Sequence, residues 1–186
     1  DVLKQSQLKT ISRCGVGLDN VDLAIAKELG IHVYSTPNAP TVAVAELTVG
    51  VMISLLRRVP QMDRKLHSGE WEKLSGPLLG GKVVTLVGLG RIGLKVADYL
   101  RAFDVRLLGV DPMRSGEIND ISIVTLDEAL TRSHVISIHA SGSSEIISFD
   151  QFARMRPGMY VINTGRGCLI NEVALREALD NKIVTG

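Results

Sequence analysis

Apolar residues in the middle of the chain form short runs that are separated by a glycine turn and an amphipathic stretch. Residues 83–87 are an unbroken apolar and β-branched run, which predicts a buried parallel strand. The glycine-rich turn 88–93 comes next, and a second apolar run, 105–110, ends in Asp111. Between them, apolar positions recur at helical spacing on one face: Ile92, Val96, Tyr99, Leu100 and Phe103. The order strand, glycine turn, helix, strand, acid is typical of a βαβ unit that binds a dinucleotide.

The same alternation of strand and helix patterns runs along most of the chain. It predicts the α/β class, with a doubly wound parallel sheet. A long apolar helix is expected from Val42 to about Arg58. Pro60 is expected to interrupt it, and a polar helical segment to continue to about Gly69. The other predicted strands cover residues 8–12, 31–34, 135–139 and 159–164, with a further start at 183–184, and the other predicted helices cover 21–29, 126–133, 148–155 and 171–180.

Each glycine of the central turn has a separate predicted role. Gly88 allows the tight turn out of the strand, and Gly90 lets a pyrophosphate approach the backbone because it has no Cβ. Gly93 allows the helix to pack closely against the sheet. The N–H groups and positive end of the helix that begins near Arg91 would then face the phosphates.

Asp111 lies at the distance from the last glycine at which a carboxylate reaches the ribose hydroxyls of NAD. A carboxylate there repels a 2′-phosphate, so NAD is favoured over NADP as the cofactor. Arg114 lies close to Asp111 in the sequence and keeps the choice between the two cofactors open.

Composition excludes several classes of partner. Aromatic residues make up 4% of the chain and the formal net charge is +1, which argues against a nucleic-acid surface. The longest apolar stretch, 42–56, contains Glu46 and is shorter than a bilayer span, so no membrane partner is expected. Cys14 and Cys168 match no metal or redox spacing, which predicts no metal site and a soluble, cytoplasmic protein.

A candidate catalytic residue follows the strand predicted over residues 159–164. Arg166 lies in the segment Asn163-Thr164-Gly165-Arg166-Gly167, at the carboxyl edge of the predicted sheet, where ligands bind in doubly wound folds. A guanidinium at this edge can hold a substrate carboxylate through two hydrogen bonds and polarise the adjacent carbonyl.

Four motifs in order resemble those of the D-isomer-specific 2-hydroxyacid dehydrogenases: Arg13 to Asp22, Ala43 to Glu46, Val87 to Gly93 and Asn163 to Gly167. The resemblance implies an NAD-binding Rossmann domain over residues 37–186 and, over residues 1–36, the C-terminal remnant of a flavodoxin-like substrate domain. Both ends of the chain are expected to lie inside domains of a longer protein.

The resemblance also implies roles for individual residues. The implied cofactor contacts are Val16, Gly88, Gly90, Arg91, Ile92, Gly93, Asp111, Thr164, Gly165 and Arg166. The backbone of the loop formed by Cys14, Gly15, Val16 and Gly17 is expected to hold the substrate carboxylate, and Arg166 is the expected catalytic residue.

The chain departs from the family pattern at three places. His139 is followed by Ala140-Ser141 where the family has a His-x-Pro-Leu-Thr run, which favours a structural role for this histidine at the end of a strand. Pro40 replaces a substrate-side asparagine. The family's acid/base histidine and its partner glutamate match no residue of this chain. We therefore expect the 186-residue polypeptide to bind NAD(H) without turnover.

The implied activity is the NAD-dependent oxidation of the CH–OH group of a D-2-hydroxy acid. The favoured substrate is 3-phosphoglycerate, oxidised to 3-phosphohydroxypyruvate on the way to serine. Glyoxylate, formate or phosphite chemistry on the same fold is an alternative, and so is a non-enzymatic NAD(H)-sensing scaffold of the corepressor kind. The resemblance further implies a homodimer that is formed through the helix region 42–58.

Overall fold

The computed structural model describes residues 2–186. The chain divides into two compact units, one that ends at Ala43 and one that runs from Val44 to Gly186. The domain boundary expected between residues 36 and 37 stays a prediction.

The first unit is built on two short parallel strands that a helix connects. β1 (Thr10–Arg13) pairs with β2 (His32–Ser35), and α1 (Leu23–Glu28) lies between them in sequence. Asp22 caps α1, since its side chain accepts a hydrogen bond from a backbone N–H of the first turn at 2.9 Å. Gly30, with φ +68°, ends the helix in the left-handed conformation, directly after the helix predicted over residues 21–29.

The second unit is a layered α/β domain, and its first helix begins just before the boundary. Its helices are α2 (Thr41–Leu56), α3 (Val59–His67), α4 (Arg91–Leu100), α5 (Leu126–Arg132), α6 (Phe149–Arg154) and α7 (Glu172–Asp180). Its strands are β3 (Val83–Val87), β4 (Arg106–Val110), β5 (Glu117–Ile118), β6 (Ile121–Ile123), β7 (Val135–Ile138) and β8 (Tyr160–Asn163). Short 3₁₀ turns cover Leu3–Gln5, Arg101–Phe103 and Gly167–Leu169.

The six strands of the second unit form one sheet in the order β5-β6-β4-β3-β7-β8. Every neighbouring pair is parallel except β5 and β6, so the predicted parallel α/β sheet is confirmed. The chain moves from β3 to β4 in one direction and later returns to β7 on the other side. This reversal places a topological switch point at the carboxyl ends of β3 and β7.

Apolar side chains bury both faces of the sheet. Val84 and Leu86 of β3 pack in a cluster with residues of α2 and α4, and Ile136 and Ile138 of β7 pack in a second cluster with residues of α5, α6 and α7. This alternation explains why the strand sequences are continuously apolar, because a parallel sheet is covered by helices on both sides.

The break between α2 and α3 lies earlier than the sequence predicted. Arg58 adopts the left-handed conformation, with φ 57°, and therefore ends the helix that was expected to run to about residue 58. Pro60 does not interrupt a helix. It lies in the first turn of α3, where its missing N–H costs no hydrogen bond. Among residues 2–186, no helix combines the length and apolar character needed to cross a membrane.

Candidate cofactor and substrate site

The glycine turn after β3 can be formed only without side chains at two of its positions. Gly88 has φ +92°, and a Cβ on it would lie 2.6 Å from the backbone nitrogen of Ala140. A Cβ on Gly93 would lie 2.1 Å from the carbonyl oxygen of Gly88. Both approaches are far shorter than a van der Waals contact. Gly88 thus lets the end of β3 pack against Ala140, and Gly93 lets the first turn of α4 pack against the end of β3.

Gly90 is different, because a Cβ built on it meets nothing within 4 Å. It is exposed and is the N-cap of α4, so open space lies in front of the backbone N–H groups at the start of the helix. Arg91 beside it is exposed and Ile92 is half-buried. The open space at Gly90 fits a pyrophosphate group, which binds to such N–H groups and to the positive end of a helix.

Asp111 follows β4 and is fixed beside the glycine turn by backbone donors. The N–H of Leu89 donates to Oδ2 of Asp111 at 2.9 Å, and the N–H of Met113 donates to Oδ1 at 2.9 Å. The Nε atom of Arg114 lies 3.8 Å from Oδ2. The carboxylate is thus held at the end of the glycine turn, where the sequence predicted the ribose contact.

The loop that carries Arg166 is fixed by the side chain of Asn163. Its Oδ1 atom accepts a hydrogen bond from the N–H of Gly165 at 3.0 Å, and its Nδ2 atom donates to the carbonyl oxygen of Arg166 at 2.8 Å. The hydroxyl of Thr164 is 2.9 Å from the buried hydroxyl of Thr48 on α2. These contacts hold the turn at the carboxyl end of β8.

His139, directly after β7, is half-buried beside the glycine turn. Its Nε2 atom is 2.9 Å from Oγ of the buried Ser137, and a Cβ on Gly93 would lie 3.6 Å from its Cβ. Burial lowers the pKa of His139 to about 4, so the imidazole is neutral near pH 7. Its contacts support the structural role that the sequence favoured for it.

In the first unit, the predicted substrate loop is folded onto neighbouring side chains. The N–H of Gly15 donates to Oγ1 of Thr36 at 2.9 Å, and Nε of Arg13 donates to the carbonyl oxygen of Gly17 at 3.1 Å. Val16 is 41% exposed, so its side chain is available to a ligand. Cys14, in the same loop, is an exposed free thiol.

Within the second unit, the sheet topology brings the predicted site residues of three strands to one edge. The glycine turn follows β3, Asp111 follows β4, and the segment 164–166 follows β8. Residues 14–17 belong to the first unit. Sequence reasoning did not single out the supporting roles of Asn163 and Thr48, and for Thr48 the available signal was a hydroxyl within an apolar helix.

Comparison with known proteins identifies the family. A sequence model of the D-isomer-specific 2-hydroxyacid dehydrogenase NAD-binding domain matches residues 49–186. The chain belongs to the D-isomer-specific 2-hydroxyacid dehydrogenase family. The matched region is the family's NAD-binding domain, and NAD is its cofactor.

Among the relatives of this chain are proteins with different named activities. It is 37% identical over 180 residues to a D-3-phosphoglycerate dehydrogenase of Archaeoglobus fulgidus, an alignment that covers 92% of this chain and 34% of that protein. It is also 37% identical over 192 residues to a glyoxylate reductase of Thermofilum pendens, covering 96% of this chain and 57% of that protein. The chain thus spans about a third to three fifths of the length of these curated relatives.

A solved structure shows the same fold with the cofactor bound. The NAD-dependent formate dehydrogenase of Staphylococcus aureus, in complex with NAD, matches this chain with a TM-score of 0.88 and 30% identity. The match covers 100% of this chain and 66% of that one.

Proposed function

We propose that this chain binds NAD across the carboxyl edge of its sheet and belongs to an oxidoreductase that acts on a D-2-hydroxy acid. The observation that carries the proposal is the Asp111 carboxylate, fixed by two backbone N–H groups beside the open space at Gly90. In this proposal Gly90, Arg91 and Ile92 hold the pyrophosphate through their backbone, and Asp111 accepts the ribose hydroxyls.

Gly88 and Gly93 give the turn the shape that this binding requires. Thr164, Gly165 and Arg166 are proposed to line the nicotinamide side. When bound, the nicotinamide supplies the chemistry of hydride transfer to or from C2 of the acid. Because Asn163 fixes the turn on both sides of Gly165, the groups that face the nicotinamide are held in place before the ligand arrives.

Arg166 is the proposed catalytic residue of this chain. Its guanidinium holds the substrate carboxylate in a two-pronged hydrogen-bonded contact and polarises the neighbouring C2 oxygen. The substrate proposed first is 3-phosphoglycerate in the route to serine, because curated relatives over nearly the whole chain are D-3-phosphoglycerate dehydrogenases. Glyoxylate is the second candidate, because a glyoxylate reductase matches at the same level of identity.

For the loop of the first unit, we propose that backbone N–H groups take the substrate carboxylate. The N–H of Gly15 already donates to Thr36, so the N–H groups of Val16 and Gly17 are the proposed donors. Cys14 is proposed to contribute its backbone to this loop, because binding of the carboxylate by N–H groups does not require the thiol. The exposed Val16 side chain is proposed to border the nicotinamide.

The acid/base step is proposed not to come from any histidine of this chain. His139 is neutral and bonded to Ser137, and His134 accepts a hydrogen bond from the N–H of Val83 with its Nδ1 atom. His32 and His67 are exposed on β2 and on α3, outside the segments proposed to hold the cofactor. The polypeptide of residues 1–186 is therefore expected to bind NAD(H) without turning over substrate.

The test is NADH oxidation by the protein that carries this chain, measured with 3-phosphohydroxypyruvate, glyoxylate, hydroxypyruvate and pyruvate. Arg166→Gln is expected to lower kcat/KM by about 100-fold or more, because it removes a charged donor from the reacting oxygen. Arg176→Gln removes the same charge from an exposed position on α7 and is the matched control. NAD(H) binding without oxidation of NADH by any of the acids would favour the sensing scaffold instead.

A homodimer is proposed to cover the apolar face of α2. Leu47 and Val51 are 58% and 39% exposed, and with Leu55 they line a groove of about 510 Å³ against residues 161–165. A face of this kind is typical of a protein–protein contact. A cytoplasmic location is also proposed, supported by the free thiols of Cys14 and Cys168.

A further inference from the structure

His134 lies directly before β7, at the edge of the sheet opposite the glycine turn. Its backbone N–H donates to the carbonyl oxygen of Val83 at 2.9 Å, and its carbonyl oxygen accepts from the N–H of Tyr160 at 3.0 Å. These bonds fix it to β3 on one side and to β8 on the other. Because strands rise by ~3.3 Å per residue, roughly 15 Å separate it from the proposed cofactor site.

Both nitrogens of the His134 ring face hydrogen-bond donors. The N–H of Val83 is 3.0 Å from Nδ1, and Nη1 of Arg156 is 2.8 Å from Nε2. A neutral imidazole accepts at one nitrogen and donates at the other, whereas a backbone N–H and a guanidinium can only donate. Either tautomer therefore leaves one pair of donors facing each other without an acceptor.

The backbone contact decides which tautomer is favoured. Val83 is the first residue of β3, so the sheet fixes the direction of its part-buried N–H, and this donor is costly to leave unpaired. Arg156 is exposed, and its guanidinium is free to meet solvent or a ligand. The favoured ring thus accepts at Nδ1 and carries its proton on Nε2. That N–H and the guanidinium then share a need for an acceptor that no residue within 2–186 provides.

The surroundings of these two donors are positively charged. Burial, the guanidinium of Arg156 and the ammonium group of Lys82 all lower the pKa of His134, so the ring is neutral near pH 7. Lys82 is half-buried and comes directly before β3. Within the described residues, neither Lys82 nor Arg156 forms an ion pair with an acid. Two positive charges thus lie beside two donors that lack an acceptor.

We propose that His134, Arg156 and Lys82 form a binding site for a phosphate dianion, either free phosphate or the phosphate of a phosphomonoester. A phosphate oxygen accepts from Nε2 of His134 and from the guanidinium of Arg156, and the ammonium group of Lys82 balances the remaining charge. A water molecule can accept the same hydrogen bonds, but two unpaired cations favour a dianion over a neutral acceptor. The site lies apart from the cofactor and substrate contacts, so it does not depend on the proposed function.

The first measurement is the tautomer of His134, from nitrogen chemical shifts of the protein that carries this chain, labelled with ¹⁵N-histidine. We expect Nδ1 to be unprotonated and Nε2 to be protonated. A closed structural contact, in which Nε2 accepts from Arg156, requires the opposite tautomer. It needs no further acceptor at Nε2, so the opposite tautomer would refute the site.

The second measurement is a titration of the same signals with inorganic phosphate and with glycerol 2-phosphate, at constant ionic strength. NAD⁺ is present at saturation, so that phosphate does not compete for the glycine turn. We expect the Nε2 signal to shift with a dissociation constant of about 1 mM, and Arg156→Gln to weaken binding at least about tenfold. Lys82→Gln is expected to weaken it about threefold. A shift with both anions identifies a phosphomonoester as the ligand, and a shift with inorganic phosphate alone identifies the free ion.

Arg176→Gln removes the same charge from an exposed position on α7 and is the matched control. Equal weakening by Arg156→Gln and Arg176→Gln means that the anion responds only to overall charge, and no shift up to about 50 mM phosphate means that water is the acceptor. Either result overturns the proposal. Because the signal comes from the ring of His134 itself, both results stay interpretable if the chain binds no NAD⁺. Circular dichroism checks that the exposed Arg156→Gln change keeps the fold.

Discussion

Two alanine substitutions in the glycine turn, three positions apart, are expected to have different effects. Gly93→Ala places a Cβ 2.1 Å from the carbonyl oxygen of Gly88, whereas Gly90→Ala places one in space that is open to 4 Å. The first substitution is therefore expected to destabilise the fold. The second is expected to leave the fold intact and to block the pyrophosphate.

The size of each effect follows from the contacts. The first turn of α4 must move by ~1 Å to accept a Cβ at Gly93, which costs ~3 kcal/mol as overpacking, while alanine's helix propensity returns ~1 kcal/mol. A net loss of ~2 kcal/mol lowers the urea midpoint by about 1 M. At Gly90, the weaker N-cap and the smaller unfolded-state entropy nearly cancel, so the free energy of unfolding changes by less than ~1 kcal/mol.

Urea unfolding followed by circular dichroism measures the first effect, and calorimetric titration with NAD⁺ measures the second. Gly90→Ala is expected to keep the urea midpoint and to bind NAD⁺ at least about tenfold more weakly, a loss of ~1.4 kcal/mol. Unchanged NAD⁺ affinity in Gly90→Ala would refute the placement of the pyrophosphate over this turn. An unchanged midpoint in Gly93→Ala would refute the argument from helix packing.

Three other predictions concern a half-buried histidine, a buried pair of hydroxyls and an exposed leucine. Because burial lowers the pKa of His139 to about 4, its neutral form favours the folded state, and this contribution is complete above pH 6.5 and is lost as the pH falls toward 4. Between pH 6.5 and pH 4, the free energy of unfolding in urea should therefore fall by ~3 kcal/mol less in His139→Asn than in the unsubstituted protein. An equal fall in both proteins would contradict the lowered pKa of His139. Thr85→Val should lower the free energy of unfolding by ~1–3 kcal/mol, because the buried hydroxyl of Ser133 loses its 2.6 Å partner. The double variant with Ser133→Ala should recover much of this loss, and simple additivity of the two single effects would contradict the pairing. Leu47→Glu should shift the protein toward a monomer in analytical ultracentrifugation, whereas Leu179→Glu, which changes an exposed leucine of α7, should not. A monomeric unsubstituted protein would refute the dimer.

The part of the fold nearest the proposed cofactor site was the most predictable from sequence. The run 83–87 coincides with β3, and the predicted acid Asp111 lies beside the glycine turn in the structure. The strand and the turn that places this acid follow from local rules. A strand buried on both faces of a parallel sheet has few charged residues, and a turn with no room for Cβ atoms must be glycine. The order of the motifs along the chain therefore predicts the sheet edge where they meet.

Features set by contacts between distant residues were not predictable from local pattern. The left-handed Arg58 has no sequence signal, because arginine rarely adopts positive φ. The hydroxyl contact between Thr48 and Thr164 joins residues that are 116 positions apart. The hairpin of β5 and β6 was also missed, because strands of two and three residues give too little alternation to detect.

That hairpin determines how the outer edge of the sheet meets other molecules. Asn119 and Asp120, both with positive φ, make the reversal that lays two residues of β5 antiparallel to β6. The edge strand β5 is too short to pair with a strand of another chain, and its exposed Glu117 adds a charge that disfavours edge-to-edge polymerisation. Self-association through this edge of the sheet is thus disfavoured, so copies of the chain should not add strand to strand at β5 and grow into an open polymer.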